Sequence, residues 1–223
     1  CIGKDTIHGE EIQALRVVME AGSFVSGAGQ LSEHPIIPDY LAYLKKSFTH
    51  VNAKRLHVVI DCGNGVAALV AKQALELLGC HVTGLYCDLD GRFPNHHPDP
   101  TVLENLDDLI QSVKQHKADV GIGYDGDADR IGTIDEQGNV LWGDRLMVIY
   151  ARDILAAKPG STIISEVKSS QSLYDDIAKQ GGRPIMWKTG HSLIKAKMKS
   201  EHAVLAGEMS GHMFFADRYF GYD

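Results

Sequence analysis

Apolar residues recur at helical spacing at Ile12, Leu15, Val18 and Met19, and the pattern stops at Gly22. This predicts an amphipathic helix over 10–20 with a glycine at its C-terminus. Gly27, Gly29, Pro35 and Pro38 then read as a linker, since they interrupt any regular period. Beyond it a helix around 39–48 precedes 56–61, a short run of mostly apolar residues that suits a buried strand. Gly63-Asn64-Gly65 supplies a turn, 66–78 a helix closed by Gly79, and 81–86 the next strand, completing one βαβ unit. A loop over 92–100 rich in His and Pro leads to a helix around 103–115 and a strand over 119–124. A polar loop follows, then a hairpin turning at Glu136-Gln137-Gly138-Asn139. A helix over 144–157 is expected to close this half.

After Lys158-Pro159-Gly160 the alternation resumes. Strands are predicted over 162–167, 183–187 and 203–206, helices over 172–180 and 192–198, and a loop or hairpin over 214–222. The fold class read from this order is α/β, with two consecutive domains built on mixed βαβ sheets. No final helix is visible, so the second half is expected to be incomplete and the chain to be part of a longer one.

Composition narrows the function classes. Of 223 residues, 44% are hydrophobic, 23% charged and 7% aromatic, which excludes a disordered, collagen-like or disulfide-scaffold chain. A net charge of -7 argues against nucleic acid and anionic membranes as partners, while leaving small anions open. Cys1, Cys62, Cys80 and Cys87 form no C-x-x-C pair, so they are read as reduced thiols of a cytoplasmic protein. The most apolar stretches carry Lys72, Gln73, Glu76, Arg152 and Asp153, too many polar groups for a membrane span. Lys4, Asp5, Glu10 and Glu11 come where a signal peptide would need an apolar run.

The loop after the 119–124 strand carries the most pointed chemistry. Asp125, Asp127 and Asp129 alternate with small residues and can converge on one hard divalent cation, and Arg130 beside them can offset charge and hold a phosphate. An EF-hand is rejected, because Arg130 stands where that loop needs Gly and a strand precedes it; a solvated acidic turn is the bland alternative. Gly63-x-Gly65-x-x-Ala68 with Asp88 raises a dinucleotide fingerprint, but Asp61 would repel a pyrophosphate and a tight structural turn is preferred. His96, His97 and Asp99 are weighed as metal ligands and set aside in favour of a loop stiffened by Pro98 and Pro100. Lys188-Thr189-Gly190-His191 lies between a strand and a helix, a place that favours an anion. Gly207-Glu208-Met209-Ser210-Gly211-His212 offers a carboxylate, a hydroxyl and an imidazole, a set suited to vicinal hydroxyls.

These segments, with Asp61-Cys62-Gly63-Asn64-Gly65, Asn95-His96-His97-Pro98-Asp99-Pro100 and Gly181-Gly182-Arg183-Pro184, resemble in their order the α-D-phosphohexomutase superfamily, most closely its phosphomannomutase/phosphoglucomutase branch. The resemblance implies a four-domain Mg²⁺-dependent isomerase of carbohydrate metabolism. It would interconvert hexose 1-phosphate and hexose 6-phosphate of mannose or glucose through a phosphoserine and a hexose 1,6-bisphosphate. It further implies that 1–29 end the first domain and its linker, 30–157 form the metal-binding second domain, and 158–223 form most of the sugar-recognising third. Asp125, Asp127 and Asp129 would hold Mg²⁺; Arg130, Lys168, His191 and His212 would line the phosphoryl-transfer centre; Glu208, Ser210 and Lys188 would bind substrate. Two departures stand out. Ala128 replaces the Gly of many members, and no T-A-S-H-N-P type loop with the nucleophilic Ser occurs in this sequence. The 223 residues alone are therefore expected to lack mutase activity, with the first and fourth domains as missing partners. A non-catalytic sugar-phosphate-binding fragment and a Mg²⁺-dependent sugar phosphatase, which would need an Asp nucleophile, are the alternatives.

Overall fold

The computed structural model describes residues 9–22, 24–51, 53 and 55–217. The chain divides into two units, 1–35 and 36–223. In the first, α1 (Glu10–Ala21) ends where Gly22 turns left-handed and donates its N–H to Met19 O. This is the expected helix with its glycine terminus. In the second unit α2 (Ile36–Ser47) begins three residues before the expected start. Pro38, read as linker, lies in its first turn, where a missing N–H costs no intrahelical bond.

The first sheet contains β1 (His57–Asp61) flanked in parallel by β2 (His81–Leu85) and β3 (Val120–Tyr124), then β4 (Ile131–Asp135) and β5 (Val140–Leu141) antiparallel. The centre of β1, Val58-Val59-Ile60, is wholly apolar because both its faces are covered. Val58 and Ile60 pack with Ala67 and Ala71 on one side, Val59 with Leu106, Leu109 and Val113 on the other. The expected 66–78 helix is broken: Val66–Leu69 is a 3-10 turn and α3 (Ala71–Leu77) starts after Val70 leaves helical geometry. The turn is held at its start by the bond from Val66 N–H to Gly126 O (3.0 Å). A 3-10 turn, Leu103–Leu106, also precedes α4 (Asp107–His116).

The second sheet has the order β7-β6-β8-β9. α5 (Gly143–Ala157) leads into it, followed by β6 (Thr162–Glu166), α6 (Gln171–Lys179), β7 (Arg183–Trp187), α7 (His191–Glu201), β8 (Leu205–Gly207) and β9 (Met213–Phe215). β7, β6 and β8 are parallel and β9 returns antiparallel. The start of the 214–222 stretch thus lies in the hairpin arm β9, and 218–223 lie outside the described residues. One expectation is corrected. α5 does not close the first half; Leu146, Met147, Ala151 and Leu155 pack under the second sheet with Ile163, Leu173, Ile177 and Leu205. Its apolar stripe is complementary to that sheet, and chain order alone does not say which sheet a connecting helix covers. α7 covers the other face through Ile194 and Met198 against Ile164 and Phe214. No helix among the described residues is long and apolar enough to cross a membrane.

Candidate active site

Every chemistry-bearing loop leaves the C-terminal end of a parallel strand: 61–65 after β1, 125–130 after β3, 166–170 after β6, 188–191 after β7 and 208–212 after β8. This is where parallel α/β sheets gather loops and helix N-termini around a ligand. The two sheets meet at this edge through backbone. Ile131 N–H donates to Gly211 O (3.3 Å), and a Cβ on Gly211 would stand 2.4 Å from Ile131 O. With φ +97° as well, no other residue fits at 211 without strain.

In the acidic loop the ligand oxygens of Asp125, Asp127 and Asp129 lie within 4.8 Å of one another, Asp125 buried and the other two exposed. Three carboxylates this close repel; a hydrogen bond with Asp125, then burial and the charges of Asp129 and Asp125, push the Asp127 carboxyl above its ordinary value. Such an all-oxygen set fits a hard divalent cation, which removes the repulsion. Arg130 braces the loop from behind. Its N–H and Nε reach the two oxygens of Asp125 (3.0 and 2.8 Å), and Nη1 reaches Asp99 Oδ1 (3.1 Å). Burial raises the Asp99 carboxyl, but hydrogen bonds from Thr101 and the Arg130 charge outweigh it and hold it low. Ala128 adopts φ +62°, the left-handed region, which is the conformation glycine tolerates best.

The 61–65 turn supports this loop and leaves no room for a pyrophosphate. A Cβ on Gly65 would stand 2.7 Å from Gly126 O, so the close approach that a dinucleotide fingerprint reserves for phosphate is filled by the acidic loop itself. Asp61 is buried, accepts the Gly63 N–H (2.8 Å) and meets His96 Nε2 at 3.0 Å. Burial keeps its carboxyl above the ordinary value despite these bonds. His96 thus stiffens the turn, and Asp99 anchors Arg130, in keeping with a structural loop.

The 208–212 loop reaches the acidic loop directly. His212 Nε2 lies 3.1 Å from Asp129 Oδ1, while its Nδ1 lies 2.7 Å from Ser210 Oγ and 2.9 Å from Glu208 Oε2. Glu208 Oε1 accepts the Gly190 N–H (2.7 Å) just before α7, and the rings of His191 and His212 are 6.1 Å apart. Glu208 is 4% exposed. Burial pushes its carboxyl up, but the bonds from His212 and Gly190 and the nearby charges of His212 and His191 hold it below the ordinary value. Asp125, Asp127, Asp129, Arg130, His191, Glu208, Ser210 and His212 are therefore joined in one network. Lys188 is exposed at the end of β7, and Lys168, exposed after β6, is tied in by its backbone N–H.

The residue that ties it was missed by sequence reasoning. Glu166, wholly buried at the end of β6, accepts from Lys168 N–H and Thr189 Oγ–H through Oε2 (both 2.8 Å) and from Met209 N–H through Oε1 (3.2 Å). One carboxylate thus links the three loops that carry the predicted residues of the second sheet. The available signal was an acidic residue at the end of a short, uncharged strand run, Thr162-Ile163-Ile164-Ser165-Glu166.

Comparison with known proteins agrees with this architecture. Residues 38–138 match the family model for phosphoglucomutase/phosphomannomutase, alpha/beta/alpha domain II, and residues 142–223 match that for domain III. A phosphomannomutase/phosphoglucomutase of Pseudomonas aeruginosa is 49% identical over 222 residues, spanning all of this chain and 48% of the relative. A phosphoglucomutase of Neisseria gonorrhoeae is 44% identical over 225 residues, again over all of this chain and 48% of the relative. The chain spans about half the length of the curated relatives it matches. Among solved structures, a phosphoglucomutase/phosphomannomutase family protein from Burkholderia thailandensis superposes with a TM-score of 0.92 at 40% identity, over 98% of this chain and 47% of that one. An N-acetylphosphoglucosamine mutase from Aspergillus fumigatus, solved with glucose 1,6-bisphosphate, shares the fold at a TM-score of 0.60 and 19% identity, over 80% of this chain and 37% of that one. With two consecutive domain models matched and the loops that carry the motifs meeting at one edge, the chain belongs to the phosphoglucomutase/phosphomannomutase family.

Proposed function

We propose that this chain supplies the metal-binding and sugar-reading parts of a cytoplasmic phosphohexomutase that interconverts the 1-phosphate and 6-phosphate of mannose or glucose. The serine nucleophile would come from residues other than these 223. The observation that carries the reading is the bond between Asp129 and His212, which brings the acidic loop of one sheet against the hydroxyl-binding loop of the other. Two structures that share the fold are named in complex with glucose 1,6-bisphosphate and N-acetylglucosamine 6-phosphate, which favours sugar phosphates as the substrate class.

Asp125, Asp127 and Asp129 would hold Mg²⁺, which would supply positive charge to a phosphoryl group in transfer. Arg130 keeps Asp125 in place and adds a fixed positive charge beside it. Glu208 uses part of each oxygen on Gly190 and His212, which would leave its remaining lone pairs for substrate hydroxyls; Ser210 stands beside it. A substrate that must react at both ends needs a reader that accepts either orientation, and vicinal hydroxyls held by Glu208 and Ser210 provide that. His212, with one nitrogen toward Asp129 and the other toward Ser210, and His191 nearby are the imidazoles placed to take and return a hydroxyl proton. Lys168 and Lys188 extend from the same edge as cations for the phosphate.

The test is calorimetric titration of the chain with Mg²⁺ or Mn²⁺ and with mannose and glucose phosphates. Asp127→Asn should abolish most of the metal heat, and Glu208→Ala should weaken both phosphate isomers alike. Metal binding untouched by Asp127→Asn, or an effect on one isomer only, would refute the site. In an assay of mannose 1-phosphate with Mg²⁺ and a trace of bisphosphate, the 223 residues are expected to form no mannose 6-phosphate. Sustained product would place the nucleophile among them and overturn this division of labour.

A further inference from the structure

Cys62 and Cys87 leave neighbouring parallel strands at the same level: Asp61 pairs with Leu85, and Cys62 N–H donates to Leu85 O (3.1 Å). Their sulfur atoms are 3.4 Å apart. Cys62 is wholly buried and Cys87 half-buried, so Cys87 is the partner nearer to solvent. A disulfide would require closing this gap by about 1.4 Å, within reach of small side-chain rotations on both partners. Nothing in the proposed phosphoryl chemistry uses either sulfur.

We propose that Cys62 and Cys87 form a peroxide-sensitive thiol pair that closes to a reversible disulfide. The Cys87 thiolate attacks one oxygen of a hydroperoxide; the O–O bond breaks, and the other oxygen leaves as water or alcohol after taking a proton. Cys87 is then a sulfenic acid. The Cys62 sulfur attacks the Cys87 sulfur, the S–O bond breaks, and hydroxide leaves with the Cys62 proton as water. Two thiols lose two electrons and two protons, and the peroxide takes them. The division of roles follows from the setting, Cys87 being the less buried partner; the hydrogen bond shared with Cys62 draws the Cys87 thiol below its ordinary value, against burial and the charges of Asp61 and Asp88 and with help from Lys72. The same bond, with burial, pushes the Cys62 thiol up.

The location couples this chemistry to the acidic loop. Asn64 N–H donates to Tyr86 O (2.9 Å), and Val66 N–H donates to Gly126 O (3.0 Å). A bond between residues 62 and 87 therefore clamps the turn on which Gly126 rests.

Peroxide should be titrated into the reduced, folded chain, with peptide mapping under non-reducing conditions. The expected product is a 62–87 cross-link with a mass loss of about 2 Da, reversed by dithiothreitol. Cys62→Ser should instead let dimedone trap a sulfenic acid at Cys87, while Cys87→Ser should leave Cys62 unreacted. Cys80, with no part in the pair, is the internal reference. A 62–80 link, a Cys87 sulfenic acid that persists in the wild type, or oxidation of Cys80 before Cys87 would each overturn the assignment. Hydrogen exchange of the Val66 amide should slow about tenfold on oxidation; unchanged exchange would refute the coupling to the acidic loop.

Discussion

Replacing Glu166 with glutamine isolates what one buried carboxylate does for three loops. The amide keeps the shape of the side chain, and its oxygen can take the place of Oε2, preserving the bonds from Lys168 N–H and the Thr189 hydroxyl. Its NH₂ then faces the Met209 N–H, a donor against a donor where Oε1 had accepted. A hydrogen bond to a charged group contributes about 1.5–3 kcal/mol, and a buried donor left without an acceptor loses that contribution. For a chain of this size each kcal/mol moves Tm by about 2–4 °C, so Glu166→Gln should lower Tm by about 3–12 °C. Thr189→Val replaces the hydroxyl by a methyl and removes one such bond to the carboxylate, so it too should cost about 1.5–3 kcal/mol. Urea and thermal unfolding give the total, and hydrogen exchange at the Met209 amide reads the loop directly. A glutamine variant within about 0.5 kcal/mol of wild type, with Met209 still protected, would show that the 208–212 loop does not depend on this carboxylate.

Ala128→Gly should stabilise the chain by up to about 1 kcal/mol, because it relieves a left-handed alanine while leaving all three carboxylates in place; loss of stability in urea unfolding would refute that account. His57 packs against His81 (ring centroids 4.2 Å apart) and His116, with Thr83 on its Nε2 and Asp119 at its backbone N–H. Burial, then the charges of His81 and His116, hold its pKa below 6.5, and Asp119 offsets only part of this. The unfolded chain then binds this proton more readily, so the His57 contribution is intact above about pH 6.5 and is lost as pH falls through that value toward the folded pKa. His57→Gln should flatten the fall in urea midpoint between about pH 7.5 and 5.5, and an unchanged slope would show that another group carries it.

Much of the fold was legible because local rules agree with one another. Alternating apolar runs of strand and helix length, punctuated by glycine at Gly22, Gly79 and Gly138, placed nearly every element within a few residues. The acidic loop was legible too, since three Asp at alternate positions with small residues between them have few other physical readings. The limits appear where position depends on something distant in sequence. Val66–Leu69 tightened into a 3-10 turn beside a bond to Gly126, sixty residues away, and no local period encodes that. The destination of α5 was equally invisible, because its apolar stripe fits any sheet and only the shape of the second one claimed it.

The sequence by itself determined the order of strands and helices, the alternation that makes each sheet buried on both faces, and the residue types in each loop. Tertiary structure decided which loops meet. His212 lies beside Asp129 because two separate sheets present their strand ends to the same edge, held there by the contact of Gly211 with Ile131. Glu166 became a central group only when three chain segments converged on it. A buried carboxylate is costly unless donors surround it, and those donors lie 2, 23 and 43 residues along the chain, so only the folded backbone supplies them together.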